Sequence, residues 1–159
     1  MKRHLLYGGF LLVIIGGALV LFAQVAAPVS TTLLDESTAE FGGVSLRLDY
    51  ATTTEARERG LSGRTSIPGD YGMLFVFPKD DRYGFWMKDT LVSLDMFWLD
   101  AQGQVVSIAR EVATSSYPNV FYPSAPARYV LETAAGFADA HLITIGTPLR
   151  LKKLPVISQ

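Results

Sequence analysis

Residues 94–110 read "LDMFWLDAQGQVVSIAR", the clearest structural signal in the sequence. Two segments rich in apolar residues, 94–99 and 104–110, flank the four residues "DAQG", which end in glycine at position 103. Apolar segments of strand length on either side of a short glycine-containing turn are typical of an antiparallel β-hairpin. The sequence therefore predicts a protein built around β-strands.

The segments on either side of this hairpin also have the patterns of short strands. Residues 44–50 alternate between apolar and polar side chains, as a half-buried strand does. Residues 73–77, "MLFVF", are continuously apolar and end before Pro78, which is typical of a strand buried on both faces. Further strands are predicted at residues 128–132, 142–145 and 149–151.

The helical signals are short by comparison. Residues 55–60, "EARERG", predict one short helix that its final glycine ends, with Thr52 and Glu55 as a capping box at its start. Residues 133–140 allow one or two further helical turns. Residues 112–126 predict an ordered loop with aromatic contacts or a mobile lid. The predicted fold class is therefore mostly β, a β sandwich or partly open barrel with two short helices.

The N-terminal residues have a different composition. Residues 5–23 run for 19 residues without a charge, which matches the roughly 20 residues of a membrane-spanning helix. Lys2 and Arg3 precede this segment, so the sequence predicts one N-terminal transmembrane helix, with the N-terminus in the cytoplasm and the remaining chain outside. The alternative is a secreted protein whose signal peptide is cleaved near residues 25–27, "VAA", although Pro28 follows directly.

A chain of 159 residues has room for one ordinary domain. The predicted parts are an N-terminal membrane anchor or signal segment at 1–27, a polar linker at 28–40, a single β-rich domain at 41–154 and a tail at 155–159.

The composition excludes several classes of protein. The chain has no cysteine, which removes disulfides and thiol chemistry. Its two histidines are far apart in the sequence, so neither a metal site nor a cofactor is predicted. Without residues 1–27, which hold two of the basic residues and no acidic one, the chain has 12 basic and 15 acidic side chains and a net charge of −3. Nucleic acids bind to clustered Lys and Arg, so the sequence predicts no nucleic-acid partner.

Two acidic residues lie in segments that otherwise favour burial. Strand alternation places Asp95 on the same face as Phe97 and Leu99, and Glu132 on the face of Val130. A buried charge without a partner costs several kcal/mol. Each of these carboxylates is therefore expected to have a cationic partner.

The candidate cations are Arg59, Arg64 and Lys88. Alternation along residues 84–90 places Lys88 on the same face as Trp86. We expect Lys88 to lie against Asp95 or Glu132, with its alkyl stem packed on Trp86. These charges are either structural ion pairs or the polar groups of one pocket.

Four short motifs occur in order along the chain: "RGLSGR" at 59–64, "GMLFVF" at 72–77, "FWMKDT" at 85–90 followed by "LD" at 94–95, and "YVLETAAG" at 129–136. Together they resemble the domain-of-unknown-function family numbered 192, over residues 44–151. The resemblance implies a compact, mostly-β domain, often behind a signal or anchor, whose biochemical activity is unassigned. It also places the polar motif positions of the family on Arg59, Arg64, Lys88, Asp95 and Glu132.

The chain departs from the family pattern at two positions. The family commonly has Asn after the motif lysine and Pro before the Leu-Asp pair, whereas this chain has Asp89 and Ser93. Asp89 adds a negative charge beside Lys88, so we expect any anion site at this lysine to be weakened.

Three functions remain open at the level of the sequence. The first is a membrane-anchored extracytoplasmic domain that binds a small polar ligand or an envelope glycan without chemistry. The second is a hydrolase that uses Asp95 and Glu132 as acid and base, and the third is a purely structural envelope protein. The ligand-binding candidates are Arg59, Arg64, Trp86, Lys88, Asp95 and Glu132.

Overall fold

The computed structural model describes residues 37–152. The predicted transmembrane segment at 5–23 lies outside this range, as do most of the predicted linker and the predicted tail. Within residues 37–152 no helix is long and apolar enough to cross a membrane.

Seven strands and two short α-helices make up the described part of the chain. In chain order they are β1 (Thr38–Phe41), β2 (Val44–Ala51), α1 (Thr54–Arg59), β3 (Tyr71–Asp81), β4 (Leu94–Leu99), β5 (Val105–Val112), β6 (Ala127–Ala134), α2 (Phe137–Ala140) and β7 (Leu149–Leu151). A single 3₁₀ turn at Thr114–Ser116 follows β5.

The seven strands form one sheet in the order β5-β4-β6-β3-β2-β1-β7. Neighbouring strands are antiparallel except β2 and β3, which are parallel. The two outermost strands approach each other at one end, where the Val105 amide donates to the Thr147 carbonyl at 3.1 Å and the Gly146 amide donates to the Val105 carbonyl at 2.8 Å. The sheet is therefore a curled half-barrel, which confirms the mostly-β prediction and selects the partly open barrel over the sandwich.

Both faces of the sheet are covered by apolar side chains. The inner face holds a core in which the ring of Phe41 meets Phe97 edge-on at 5.1 Å between centroids and stacks on Phe137 at 6.0 Å. The outer face carries a second core that includes Met96 and Val130. Its outer layer comes from the connections between strands, chiefly residues 82–93 between β3 and β4 and residues 113–126 between β5 and β6.

The hairpin predicted at 94–110 is confirmed. Strands β4 and β5 pair in antiparallel register, and Gly103 has a φ of 77° in the turn between them. The side chain of Asp100 closes this turn, because its Oδ1 accepts the amides of Gln102 and Gln104 at 2.9 Å each. The helix that ends at Gly60 is also confirmed, although its N-cap is Thr53 and not Thr52.

Three segments differ from the sequence-based expectation. Strand β1 begins at Thr38, inside the segment predicted as a linker, because it is paired on one side with β2 and on the other with β7. Strand β3 continues past Pro78 to Asp81. The strand predicted at 142–145 is wrong: Leu142 has a φ of 52°, which breaks an extended chain, and Ile143 is a buried residue between two turns.

Asp95 joins three elements on the inner face of the sheet. It lies opposite a β-bulge, because Leu94 pairs with Val112 and Met96 pairs with Ala109. Its carboxylate is fully buried and accepts the amide of Glu111 in β5 and the amide of Ala138 in α2, both at 2.7 Å. Backbone amides therefore satisfy this carboxylate without a cation.

The expected ion pair between Lys88 and Asp95 is wrong. Lys88 is exposed, and its side chain forms no ion pair with any residue between 37 and 152. Glu132, the alternative partner, does not form an ion pair with Lys88 either. The face that carries Trp86 and Lys88 is open to solvent, so burial does not force the lysine to find a carboxylate.

This arrangement predicts unequal effects of two substitutions. We expect Asp95→Asn to lower the free energy of unfolding by about 2–4 kcal/mol, because an amide cannot accept both backbone N–H groups as the carboxylate does. Lys88→Met is expected to change it by less than about 0.5 kcal/mol. Urea denaturation of the two variants and the double variant measures this. An equal loss of stability in the two single variants, or a recovery of stability in the double variant, would show that Lys88 and Asp95 form an ion pair after all.

Candidate functional site

A cavity of about 260 Å³ opens on the outer face of the sheet. Its walls come from α1 and the residues directly after it, from β3, from the β3–β4 connection and from one residue of β6. Elements that are distant in sequence meet here because the parallel pairing of β2 and β3 brings α1 across the outer face.

Glu132 of β6 forms the floor of the cavity. It lies on the central part of the sheet, opposite Met73 of β3 on one side and Met96 of β4 on the other. The residue is only 4% exposed, and its carboxyl group has no hydrogen-bond or ion-pair partner within residues 37–152. Burial alone raises the pKa of Glu132 from 4.5 to about 8, so the carboxyl group is largely protonated at neutral pH.

Aromatic side chains form part of the cavity wall. The rings of Phe75 and Phe85 meet edge-on at 4.8 Å between centroids, and both residues line the cavity. Phe85 is fixed by backbone bonds with Phe121 in both directions, at 2.9 and 2.8 Å. The floor therefore presents one polar group in an apolar setting.

Two cations and an indole form the rim. Arg59 is the last residue of α1, and Lys88 and Trp86 belong to the β3–β4 connection. Trp86 is 51% exposed and meets Tyr117 edge-on at 6.2 Å between centroids. Neither Arg59 nor Lys88 forms an ion pair in the described part of the chain. Both cations are therefore free to meet a ligand at the mouth of the cavity.

Arg57 holds α1 in place beside the cavity. Its Nη1 donates to the carbonyl of Thr52 at 2.8 Å and to the carbonyl of Val76 in β3 at 3.0 Å. Its guanidinium lies 5.3 Å from the centroid of the Phe77 ring. The local sequence around Arg57 does not predict this role, because it depends on contact with a strand that is distant in sequence.

The structure separates the six residues that the sequence singled out. Four of them line the cavity: Arg59, Trp86, Lys88 and Glu132. Arg64 and Asp95 do not. Arg64 donates to Asp49 at 2.8 Å and lies 4.8 Å from the centroid of the Tyr71 ring, where the Tyr71 hydroxyl and this guanidinium hold the pKa of Asp49 below its usual range.

Asp95 and Glu132 lie on opposite faces of the sheet. Asp95 is bonded within the inner core, at the start of α2, whereas Glu132 faces the cavity on the outer face. A hydrolase in which these two carboxylates act together on one substrate is therefore excluded by the geometry. The expected acid–base pair is wrong because neighbouring strand positions point in opposite directions.

Asp89 follows Lys88 in the β3–β4 connection and is exposed. It lies in a turn with a φ of 55°, its carbonyl accepts the amide of Gly63 at 2.9 Å, and it is not among the residues that line the cavity. No group of three or more His, Cys, Asp or Glu side chains within residues 37–152 is placed to hold a metal ion.

The fold and the site together define a class of protein: a half-barrel β domain with a cavity of mixed polar and apolar lining that has a buried carboxyl group at its floor and cations at its rim. The profile of the family described as "Uncharacterized ACR", the domain-of-unknown-function family numbered 192, matches residues 37–151. The chain belongs to this family, which confirms the resemblance drawn from its motifs.

Two crystal structures share the fold. One is a protein from Sinorhizobium meliloti 1021 described as a candidate transcription regulator, with 30% identity and a TM-score of 0.66 over 68% of this chain and 83% of the other. The second is a protein of unknown function from Novosphingobium aromaticivorans DSM 12444, with 25% identity and a TM-score of 0.65 over 71% of this chain and 83% of the other. Comparison with curated proteins found no match.

The raised pKa of Glu132 predicts how stability varies with pH. The folded protein binds the proton of Glu132 more tightly than the unfolded chain does. The contribution of this proton to the free energy of unfolding is therefore complete below about pH 4.5 and is lost as the pH rises to about 8. At neutral pH this loss lowers the free energy of unfolding by a value on the order of 3 kcal/mol. Since glutamine cannot ionise, Glu132→Gln should be more stable than the wild type at pH 8 and similar to it near pH 4.5.

Urea denaturation across this pH range measures the difference. Glu58→Gln serves as the control, because Glu58 also lines the cavity but is exposed. A difference between wild type and Glu132→Gln that does not vary with pH would mean that Glu132 is not buried as described.

Proposed function

We propose that this protein binds a small polar ligand, either free or as part of an envelope glycan, in the cavity above Glu132 and does not transform it. The observation that carries the proposal is the buried, unpartnered carboxyl group at the floor of a cavity. Such a group lowers stability unless something bonds to it, and an apolar side chain there would fill the same position at no such cost. A ligand that bonds to Glu132 accounts for its presence.

The dimensions and lining of the cavity support a small ligand. Its volume of about 260 Å³ lies just below the usual range of roughly 300–1,000 Å³ for small-molecule sites. Phe75 and Phe85 provide apolar contact, and Trp86 offers a half-exposed ring on which a sugar or another flat face can stack. A few polar groups in an apolar concavity are the usual composition of such sites.

Binding is favoured over catalysis because the acid–base pair first expected, Asp95 with Glu132, does not meet in the cavity. Asp95 lies on the other face of the sheet, and the hydroxyl of Ser62, which lines the cavity, donates to the Lys88 carbonyl at 3.2 Å. The second candidate is a hydrolase in which Glu132 alone acts as general acid. A pKa of about 8 supports it, because efficient acid catalysis needs a pKa near the working pH.

Transcriptional regulation by direct contact with nucleic acid is not part of the proposal. The Sinorhizobium relative is described as a candidate regulator, but residues 28–159 of this chain have a net charge of −3. Binding to a phosphate backbone depends on an excess of Lys and Arg.

We also propose that residues 5–23 anchor the protein in the cell membrane as a single-pass segment, with the cavity domain on the extracytoplasmic side. The uncharged length and the preceding Lys2 and Arg3 support this. Secretion after signal cleavage is the alternative.

The binding proposal predicts perturbations confined to one site. Titration of the purified domain with sugars, sugar acids and amino acids, followed by backbone amide NMR shifts, should give at least one compound whose effects map onto residues around Glu132. Glu58→Trp, which places an indole at the mouth, should abolish that binding, whereas Glu55→Trp on the same helix but outside the cavity should not. A panel without any such compound, or shifts that map elsewhere, would refute the proposal. Turnover of a bound compound would favour the hydrolase.

The anchor predicts the behaviour of the full chain in cells. It should sediment with membranes and resist carbonate extraction, whereas a variant without residues 1–27 should be extracted. A mature N-terminus at or after residue 24 by mass spectrometry would show instead that the segment is a cleaved signal.

A further inference from the structure

The charges around the cavity are unequal. Three cationic side chains, Arg57, Arg59 and Lys88, line it, and the acidic residues of its lining are Glu58 and the buried Glu132. Residues 28–159 as a whole have a net charge of −3, so the cavity is a local concentration of positive charge on an acidic chain. An excess of one sign of charge around a concave site strengthens the electrostatic field at its mouth.

Two further acidic residues near these elements, Asp89 and Asp49, lie outside the cavity lining. Asp89, the acidic residue next to Lys88 in sequence, does not line the cavity. Asp49, the carboxylate closest along β2 to α1, is already held by Arg64 at 2.8 Å and by the Tyr71 hydroxyl at 2.6 Å. Arg59 and Lys88 are both exposed and form no ion pair within residues 37–152.

The floor of the cavity adds a second requirement. Glu132 is 4% exposed, faces the cavity and has no partner in the described residues. A hydroxyl group can either donate to a carboxyl group or accept from it, so a hydroxylated ligand satisfies Glu132 in both of its protonation states.

We propose that the cavity is selective for a small hydroxylated organic anion, such as an acidic or phosphorylated monosaccharide. Its carboxylate or phosphate lies at the rim between Arg59 and Lys88, one face of its body packs against Trp86, and a hydroxyl group bonds to Glu132. The inference rests on the proposed binding function and adds to it the charge of the ligand.

Trp86 makes the charge preference measurable without a known ligand. The chain has two tryptophans, and Trp98 is 1% exposed, so dissolved quenchers reach Trp86. At equal low ionic strength, and with each quenching constant divided by its value for free N-acetyltryptophanamide, iodide should quench the fluorescence several-fold more than caesium. Arg59→Gln and Lys88→Gln should each bring the two quenchers closer together. Arg64→Gln, which removes the same charge from an arginine outside the cavity, should leave the ratio unchanged.

Calorimetry with four sugars of one ring type tests the ligand class. Glucuronate and glucose 6-phosphate are anionic, glucose is neutral and glucosamine is cationic. At least one anion should bind at least about ten-fold more tightly than glucose, and the variant with both Arg59→Gln and Lys88→Gln should lose this advantage. A comparison of trigalacturonate with galacturonate distinguishes the two sources of such a ligand. Tighter binding of trigalacturonate supports a glycan, and equal binding supports a free sugar acid. Both results agree with the proposal.

Two results would overturn the inference: no binding of either anion, or binding of glucose or glucosamine as tight as that of the anions. Equal quenching constants for iodide and caesium in the wild type, each divided by its value for free N-acetyltryptophanamide, would do the same. These failures are distinguishable from failure of the binding function itself. Glucose binding that Glu58→Trp abolishes would leave the cavity as a ligand site and remove only its preference for anions.

Discussion

The constraint on which the structure depends is the burial of strand β6 on both faces. It lies between β3 and β4 in the sheet, so the side chains of alternate residues enter two different cores. Leu131 belongs to the inner core and Val130 to the outer one. A polar residue at such a position cannot reach bulk water, and the structure has to provide either a bonding partner or a cavity for it.

The two buried carboxyl groups, Asp95 and Glu132, have different surroundings. Asp95 receives two backbone amides, one of them freed by the bulge in β5 and the other by the start of α2. It therefore joins the hairpin to the elements that close the barrel, and its role is structural. Glu132 has the same kind of functional group one strand away, yet no donor reaches it, and a cavity lies above it instead. Face and local bonding, rather than residue type, separate a structural carboxylate from a candidate ligand group.

Local features of the sequence predicted much of the fold and part of the site. The hairpin at 94–110 was predictable because its turn and both of its strands are contiguous, and the alternation that placed Asp95 beside Phe97 is a property of one strand. The sequence could not predict the parallel pairing of β2 with β3. Nor could it predict the bridge between Gln104 and Pro148, just before β5 and β7. Both contacts join segments that are distant in sequence. Lys88 was misjudged for the same reason: periodicity finds the face that carries Trp86, but only the packing of other segments shows that this face is exposed.

The sheet and the connections between strands form different parts of the cavity. Glu132 is fixed by backbone pairing on both sides, so the floor of the cavity has a rigid position. The rim comes from the end of α1 and from the β3–β4 connection, whose exposed side chains keep rotameric freedom that a ligand can exploit. Arg57 links these two levels, because its bonds to Thr52 and Val76 fix the helix that carries Arg59. For the proposed binding function, a rigid polar floor under an adjustable charged rim would let ligands of related charge but different shape share one buried contact, and the depth of that contact would limit their size.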